Sequence, residues 1–137
     1  MVIDSSAFLA ILFEEPEAEA FARAIASDPV RLMSAVSWLE TVLVAEGRLG
    51  AESADDALLI LNDLEIQAVP FDLEQMRESR RAWRRFGKGK HPAGLNLSDC
   101  CSYALASTRS EPLLFKGNDF SRTDIPPAAW PSTFTLR

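Results

Sequence analysis

The chain is poor in the residues that build zinc cages and disulfide frameworks. Its 137 residues include two cysteines and one histidine. A lone His91 cannot supply a histidine-rich zinc site. Cys100 and Cys101 are neighbours, and on a helix their side chains diverge by about 100°, so a structural bridge between them is not expected. A reducing, cytoplasmic setting fits that cysteine usage. Long apolar runs are missing as well. Uncharged, proline-free runs reach nine residues (Ser5–Phe13), too short to span a bilayer. Asp4 interrupts the N-terminal segment before any basic-then-apolar signal pattern can form. There is no Gly-x-Ser-x-Gly elbow and no Walker loop, and Gly87-Lys88-Gly89-Lys90 follows no strand, so it reads as a basic loop. Bulk positive charge is lacking too: a net charge of −6 argues against coating nucleic acid by charge alone.

What is present describes one domain spanning 1–137. Apolar residues make up 47% and charged residues 25%, ordinary for a globular chain with a real core. The charge is unevenly placed. Residues 77–91 hold seven of the fourteen Lys and Arg (Arg77, Arg80, Arg81, Arg84, Arg85, Lys88, Lys90) against a single acid, Glu78. Such a run is either a solvated face or a rim that holds phosphate beside an acidic centre.

Short apolar stretches alternate with helical patterns. Strands are expected at Met1–Ile3, Val30–Met33, Ile66–Phe71 and Leu113–Phe115, with a further one at Thr133–Leu136. Helices are expected at Ser5–Phe13, Pro16–Ser27, Ala35–Leu49 (capped by Ser34, stopped by Gly50), Ser53–Leu64, Asp72–Phe86 and Asn96–Ser107. That alternation implies a parallel sheet covered on both faces. Sites in such sheets lie beyond the carboxyl ends of the strands. Trp38, Trp83 and Trp130 read as core or interface residues.

Four carboxylates stand where that rule directs attention. Asp4 follows the first strand directly, although an Asp there also serves as a helix cap. Glu40 falls on the helical face shared by Val36, Leu43 and Gly47, where an unpaired carboxylate is costly unless it meets a partner or a metal. Asp99 lies in the first turn of its helix, favourable for the dipole, yet shares a face with Tyr103 and Ala106. Asp119 follows the last strand in Gly117-Asn118-Asp119, which is also ordinary turn chemistry. Asp124 is a weaker fifth candidate. One parallel sheet could bring the four together, and clustered carboxylates repel unless a cation joins them. Oxygen-only ligands suit Mg²⁺ or Mn²⁺. Such a site can activate water and stabilise in-line attack on phosphorus.

Several motifs in order carry a family resemblance. Met1-Val2-Ile3-Asp4-Ser5-Ser6, Ser37-Trp38-Leu39-Glu40-Thr41, the stretch from Lys88 to Asn96 leading into Ser98-Asp99-Cys100, and Leu113 to Phe120 continuing through Thr123-Asp124-Ile125 resemble PIN-domain ribonucleases, most closely the VapC toxin branch of type II toxin–antitoxin modules. The likeness runs from Met1 to about Ile125. It implies a PIN-like three-layer α/β/α sandwich with a short, mostly parallel central sheet, and Mg²⁺-dependent endonucleolytic cleavage of RNA, with tRNA or rRNA the expected class. By the same resemblance Asp4 and Asp99 match direct metal ligands, Glu40 and Asp119 match positions that hold water or a second ion, and Ser6 matches a supporting hydroxyl. Arg84, Arg85, Lys88 and Lys90 are the expected RNA contacts. A homodimer and a VapB-type antitoxin are the implied partners, with no membrane role. Two other classes compete. A phosphoacceptor of the receiver type is invited by Asp4 and Lys116, but the middle strand ends without an acid and Ser6 stands where an aspartyl-phosphate phosphatase needs Asp. A catalytically silent binding module of the same fold is the third class.

Overall fold

The computed structural model describes residues 1–131. Its elements are β1 (Val2–Ile3), α1 (Ser5–Leu12), α2 (Ala18–Ser27), β2 (Leu32–Ser34), α3 (Ala35–Leu49), α4 (Ala51–Asp63), β3 (Gln67–Val69), α5 (Leu73–Phe86), α6 (Leu97–Arg109) and β4 (Leu113–Leu114), followed by a 3-10 turn, Phe120–Arg122. The expected strand at Thr133–Leu136 lies outside the described residues. No helix among the described residues is long and apolar enough to cross a membrane.

The four strands form one parallel sheet in the order β3-β2-β1-β4. The chain lays down β1, β2 and β3 outward in one direction, then returns past β1 to place β4 on its other side. The strand order therefore reverses between β1 and β4, where a crevice opens beyond the carboxyl ends. Alternate residues of each short strand feed opposite faces. Ile3, Met33 and Leu114 join Phe8, Phe21, Ile25 and Leu61 in one core. Val2, Leu32 and Leu113 join Phe86, Leu95, Tyr103 and Leu105 in the other. Both faces of β1, β2 and β4 are covered, which is why these strands are buried throughout, whereas β3 at the edge leaves Gln67 and Ala68 exposed.

Local chemistry sets most boundaries. Asp4, Ser34, Asp72 and Asn96 each cap the helix they precede by accepting a backbone N–H. Asn96 and Asp99 form a reciprocal pair, each side chain accepting from the other's backbone N–H. Gly50 takes φ +92° between α3 and α4, a conformation that glycine adopts without strain. That tight join lets α4 begin at Ala51, earlier than the expected Ser53.

Two expectations about faces are corrected. The buried side of α3 is Ser37, Thr41 and Ala45, not Val36, Leu43 and Gly47; Leu43 is 58% exposed. Small residues win that face because α3 packs on α6 as well as on the sheet edge, where bulk would hold the elements apart. Trp83 is not core: it stands 46% exposed on α5, whose buried side is Gln75, Ser79, Ala82 and Phe86. Trp130 does pack inward, edge-on to Phe21 at 4.8 Å.

Candidate acidic site

Asp4 is the centre of the carboxyl edge. It ends β1, its own N–H donates to Leu114 O at 2.9 Å, and its carboxylate is buried. One oxygen, Oδ2, accepts from the Ser6 N–H at 3.0 Å. The other, Oδ1, accepts from the Ser102 hydroxyl at 2.5 Å. Ser102 in turn lies 3.0 Å from the Ser37 hydroxyl, and both serines are fully buried. Ser6 serves the site through its backbone amide. Its hydroxyl instead accepts from the Lys116 N–H at 3.0 Å, tying the loop after β4 to the start of α1.

The other three acids reach the same place from different elements. Glu40 comes from α3 and Asp99 from the first turn of α6, both partly buried, while Asp119 sits exposed on the loop after β4. Gly117, at φ +100°, turns that loop back over the edge. Their convergence registers in the Asp99 carboxyl, which is pushed up to about 7. Burial is the largest cause; the Asn96 N–H works the other way; the negative charges of Asp4, Asp119 and Glu40 add to the rise. Glu40 Oε2 is buried without a hydrogen-bond partner, an arrangement that needs a compensating group.

The residues fit a hard divalent cation by chemistry: every donor is oxygen, one buried carboxylate oxygen lacks a partner, and one carboxyl resists ionisation among its neighbours. As the side chains lie, no three His, Cys, Asp or Glu among the described residues are grouped tightly enough to share one ion. Asp99 Oδ2 is held by the Asn96 N–H at 3.0 Å, so ligation calls on its other oxygen or a rotamer change.

The basic segment divides into two sides. Lys88 lines a groove of about 510 Å³ with Phe71, Met76, Trp83, Asn96 and Leu97, and the Lys90 ammonium lies 4.1 Å from the Trp83 ring centre. Arg84 and Arg85 lie on another face beside Glu78 and Tyr103. Arg85 is engaged there: its guanidinium meets Asp124 at 3.1 Å, and the Tyr103 hydroxyl donates to the same carboxylate. Asp124 is accordingly held low by Tyr103 and Arg85 and serves as a clamp on the C-terminal segment. Lys116, which invited the phosphoacceptor reading, is spent on Glu15 and Glu17.

Sequence reasoning missed Ser37 and Ser102. The signal was present: Ser102 follows Asp99 by three residues and Ser37 precedes Glu40 by three, so each shares a helical face with a site acid.

A parallel sheet covered by helices, with the charges of Asp4, Glu40 and Asp119 felt at Asp99, defines a small α/β domain with an acidic carboxyl edge. The comparisons with known proteins agree. The PIN domain family model matches residues 1–126. A Ribonuclease VapC of Mycolicibacterium smegmatis is 50% identical over 125 residues, 91% of this chain and 97% of that protein. Ribonuclease VapC30 of Mycobacterium tuberculosis is 47% identical over 131 residues, 96% of this chain and all of the relative. Among solved structures, Mycobacterium tuberculosis VapC20, described as a Sarcin-Ricin loop cleaving toxin, superposes with a TM-score of 0.77 at 17% identity, covering 95% of this chain and 98% of that one. A chain of DNA-bound VapBC from Salmonella typhimurium gives 0.69 at 12% identity, covering 92% of this chain and 93% of that one. The chain belongs to the PIN-domain family, in its VapC branch.

Proposed function

We propose that this protein is a divalent-metal-dependent endoribonuclease, the toxin of a type II toxin–antitoxin pair, acting through Asp4, Glu40, Asp99 and Asp119. One observation carries the reading: the Asp99 carboxyl, pushed up to about 7 chiefly by burial, also feels the negative charges of Asp4, Asp119 and Glu40, which come from separate parts of the chain. The VapC ribonucleases that resemble the chain over nearly its whole length support the activity, and the VapBC complex among its structural neighbours supports a VapB-type antitoxin as partner.

A bound Mg²⁺ or Mn²⁺ would offset the clustered charge and polarise a phosphodiester for in-line attack. Asp4 and Asp99 would hold it. Glu40, whose Oε2 is buried without a partner, would hold a metal-bound water or a second ion. Asp119, exposed on its loop, orients the water from the open side. Lys88, which lines the groove beside Trp83, and Lys90, over the Trp83 ring, take backbone phosphates. Arg84 adds charge from the neighbouring face, and Arg85 contributes least because Asp124 already holds it. The substrate class is tRNA or rRNA, and the working form is a homodimer in the cytoplasm.

The test is purified protein on total RNA with Mg²⁺ or Mn²⁺, with EDTA, and as Asp99→Asn. Discrete fragments that require metal and vanish in the variant are expected, and their ends identify the target. Intact RNA in every arm, with folded protein, refutes the nuclease reading.

A further inference from the structure

Two buried hydroxyls lie directly beneath the acidic edge. Ser102 donates to Asp4 Oδ1 at 2.5 Å, and Ser37 lies 3.0 Å from Ser102; both serines are 0% exposed. A serine hydroxyl has one hydrogen. Ser102 spends its hydrogen on Asp4, so Ser37 must supply the one between the serines. The chain of donation runs from Ser37 to Ser102 to Asp4.

Ser102 satisfies the buried Asp4 Oδ1, which would be left without a donor if both serines were alanine, and Ser37 supports Ser102 in turn. The pair also supplies direction. Asp4 receives a hydroxyl on one oxygen and the Ser6 amide on the other, so its carboxylate plane is fixed. The two serines also join α3 to α6 within three residues of Glu40 and Asp99 respectively. Two buried hydrogen bonds in series thus set the orientation of one site acid and the spacing of the two helices that deliver two others.

We propose that Ser102 and Ser37 are positioning residues, holding Asp4 in the orientation that receives the divalent cation and spacing Glu40 against Asp99. The proposal rests on the metal-site reading above. Groups that orient a metal ligand typically matter by tenfold or more in metal affinity. Ser102→Ala removes the donor to Asp4. Ser37→Ala leaves that donor in place and removes only its support.

The experiment is Mn²⁺ binding to the RNA-free protein, followed by the loss of the free-ion electron paramagnetic resonance signal, beside thermal melts without metal. Ser102→Ala is expected to bind Mn²⁺ about tenfold more weakly, and Ser37→Ala about threefold more weakly as the polarised chain shortens. Ser102→Thr, which restores the hydroxyl, is expected to return to within about twofold of the unmodified protein. In an Asp4→Asn background, Ser102→Ala is expected to add nothing further, because its effect passes through Asp4. If Ser102→Ala fails to fold, the Ser37→Ala and Ser102→Thr measurements decide. Mn²⁺ affinities unchanged in the serine variants, with only melting temperatures moved, would overturn the proposal while leaving the metal site standing. No Mn²⁺ binding by the unmodified protein would overturn both.

Discussion

Replacing Asp99 by Asn should stabilise the metal-free protein, and by an amount that depends on pH. The folded carboxyl titrates near 7, against 3.8 for an ordinary Asp, with burial the main cause and Asp4, Asp119 and Glu40 adding repulsion. Between those two values the folded protein keeps a proton that the unfolded chain has lost. The folded state therefore binds more protons, and its stability falls as pH rises from about 4 to 7. Below about 4 both states are protonated and the penalty is absent; above 7 it is complete. A shift of about three units corresponds to about 4 kcal/mol at full value. Asp99 is only partly buried, so solvent screening reduces this to about 1–2 kcal/mol. The introduced carboxamide would keep an oxygen to accept from the Asn96 N–H, so the helix cap survives the change. The assay is urea denaturation in EDTA at steps from pH 4.5 to 7.5. The variant should match the parent near pH 4.5 and exceed it by about 1–2 kcal/mol at pH 7.5, or roughly 3–8 °C in melting temperature. Mg²⁺ or Mn²⁺ should reverse the order at pH 7.5, since a ligated carboxylate must be ionised and binding stabilises the folded form. A stability gap that is the same at every pH would refute the argument, because only a titrating group can make it vary.

Other perturbations test other parts of the molecule. Joint replacement of Lys88 and Lys90 by Ala should weaken RNA binding and lower the slope of log affinity against log salt by about 0.7 for each single-strand phosphate no longer neutralised, measured by filter binding. Arg85→Ala should change that slope little, because Asp124 already holds the guanidinium. Phe8, fully buried against Phe21 and Ile25 in the core under α1 and α2, should cost about 3–5 kcal/mol when cut to Ala, read from chemical denaturation. Gly87→Ala would set a Cβ 2.3 Å from Trp83 O and 2.7 Å from Trp83 Cδ1. The loop must shift, with an expected loss of about 1–3 kcal/mol and altered Trp83 fluorescence.

How much of this was legible depended on distance along the chain. Helix starts at Asp4, Ser34, Asp72 and Asn96 follow from cap chemistry within three residues, and they fall where the sequence places them. The strands are shorter than their apolar runs; Ile66–Phe71 pairs only over Gln67–Val69, because β2 offers just three partners there. The face of α3 was misread because apolarity was counted and size was not. Ser37 is inward against Ser102 of α6 and Ala45 is inward in the core with Phe8, Ala57 and Leu61, facts about neighbouring helices that no window on α3 contains. The Arg85–Asp124 pair and the Ser102–Asp4 bond span 39 and 98 residues, and no local pattern announces them. The four acids were legible as a set only through strand ends and the motif order. Their mutual repulsion at Asp99 needed the folded chain.

The place of β1 makes the acidic edge depend on distant parts of the chain. The strand that leads into Asp4 is the first of the described strands in chain order, yet its neighbour on one side, β4, is the last of them. Val2 and Ile3 pair with Leu113 and Leu114, and the Asp4 N–H waits for Leu114 O. Asp119 follows only after that closure. Without β4 the sheet would lack one wall of the crevice and the loop that carries Asp119. A single cut of the chain ahead of β4 would therefore part Asp4 from the strand that pairs beside it and from Asp119 at once, so the acidic edge is only as durable as the one closure between β1 and β4.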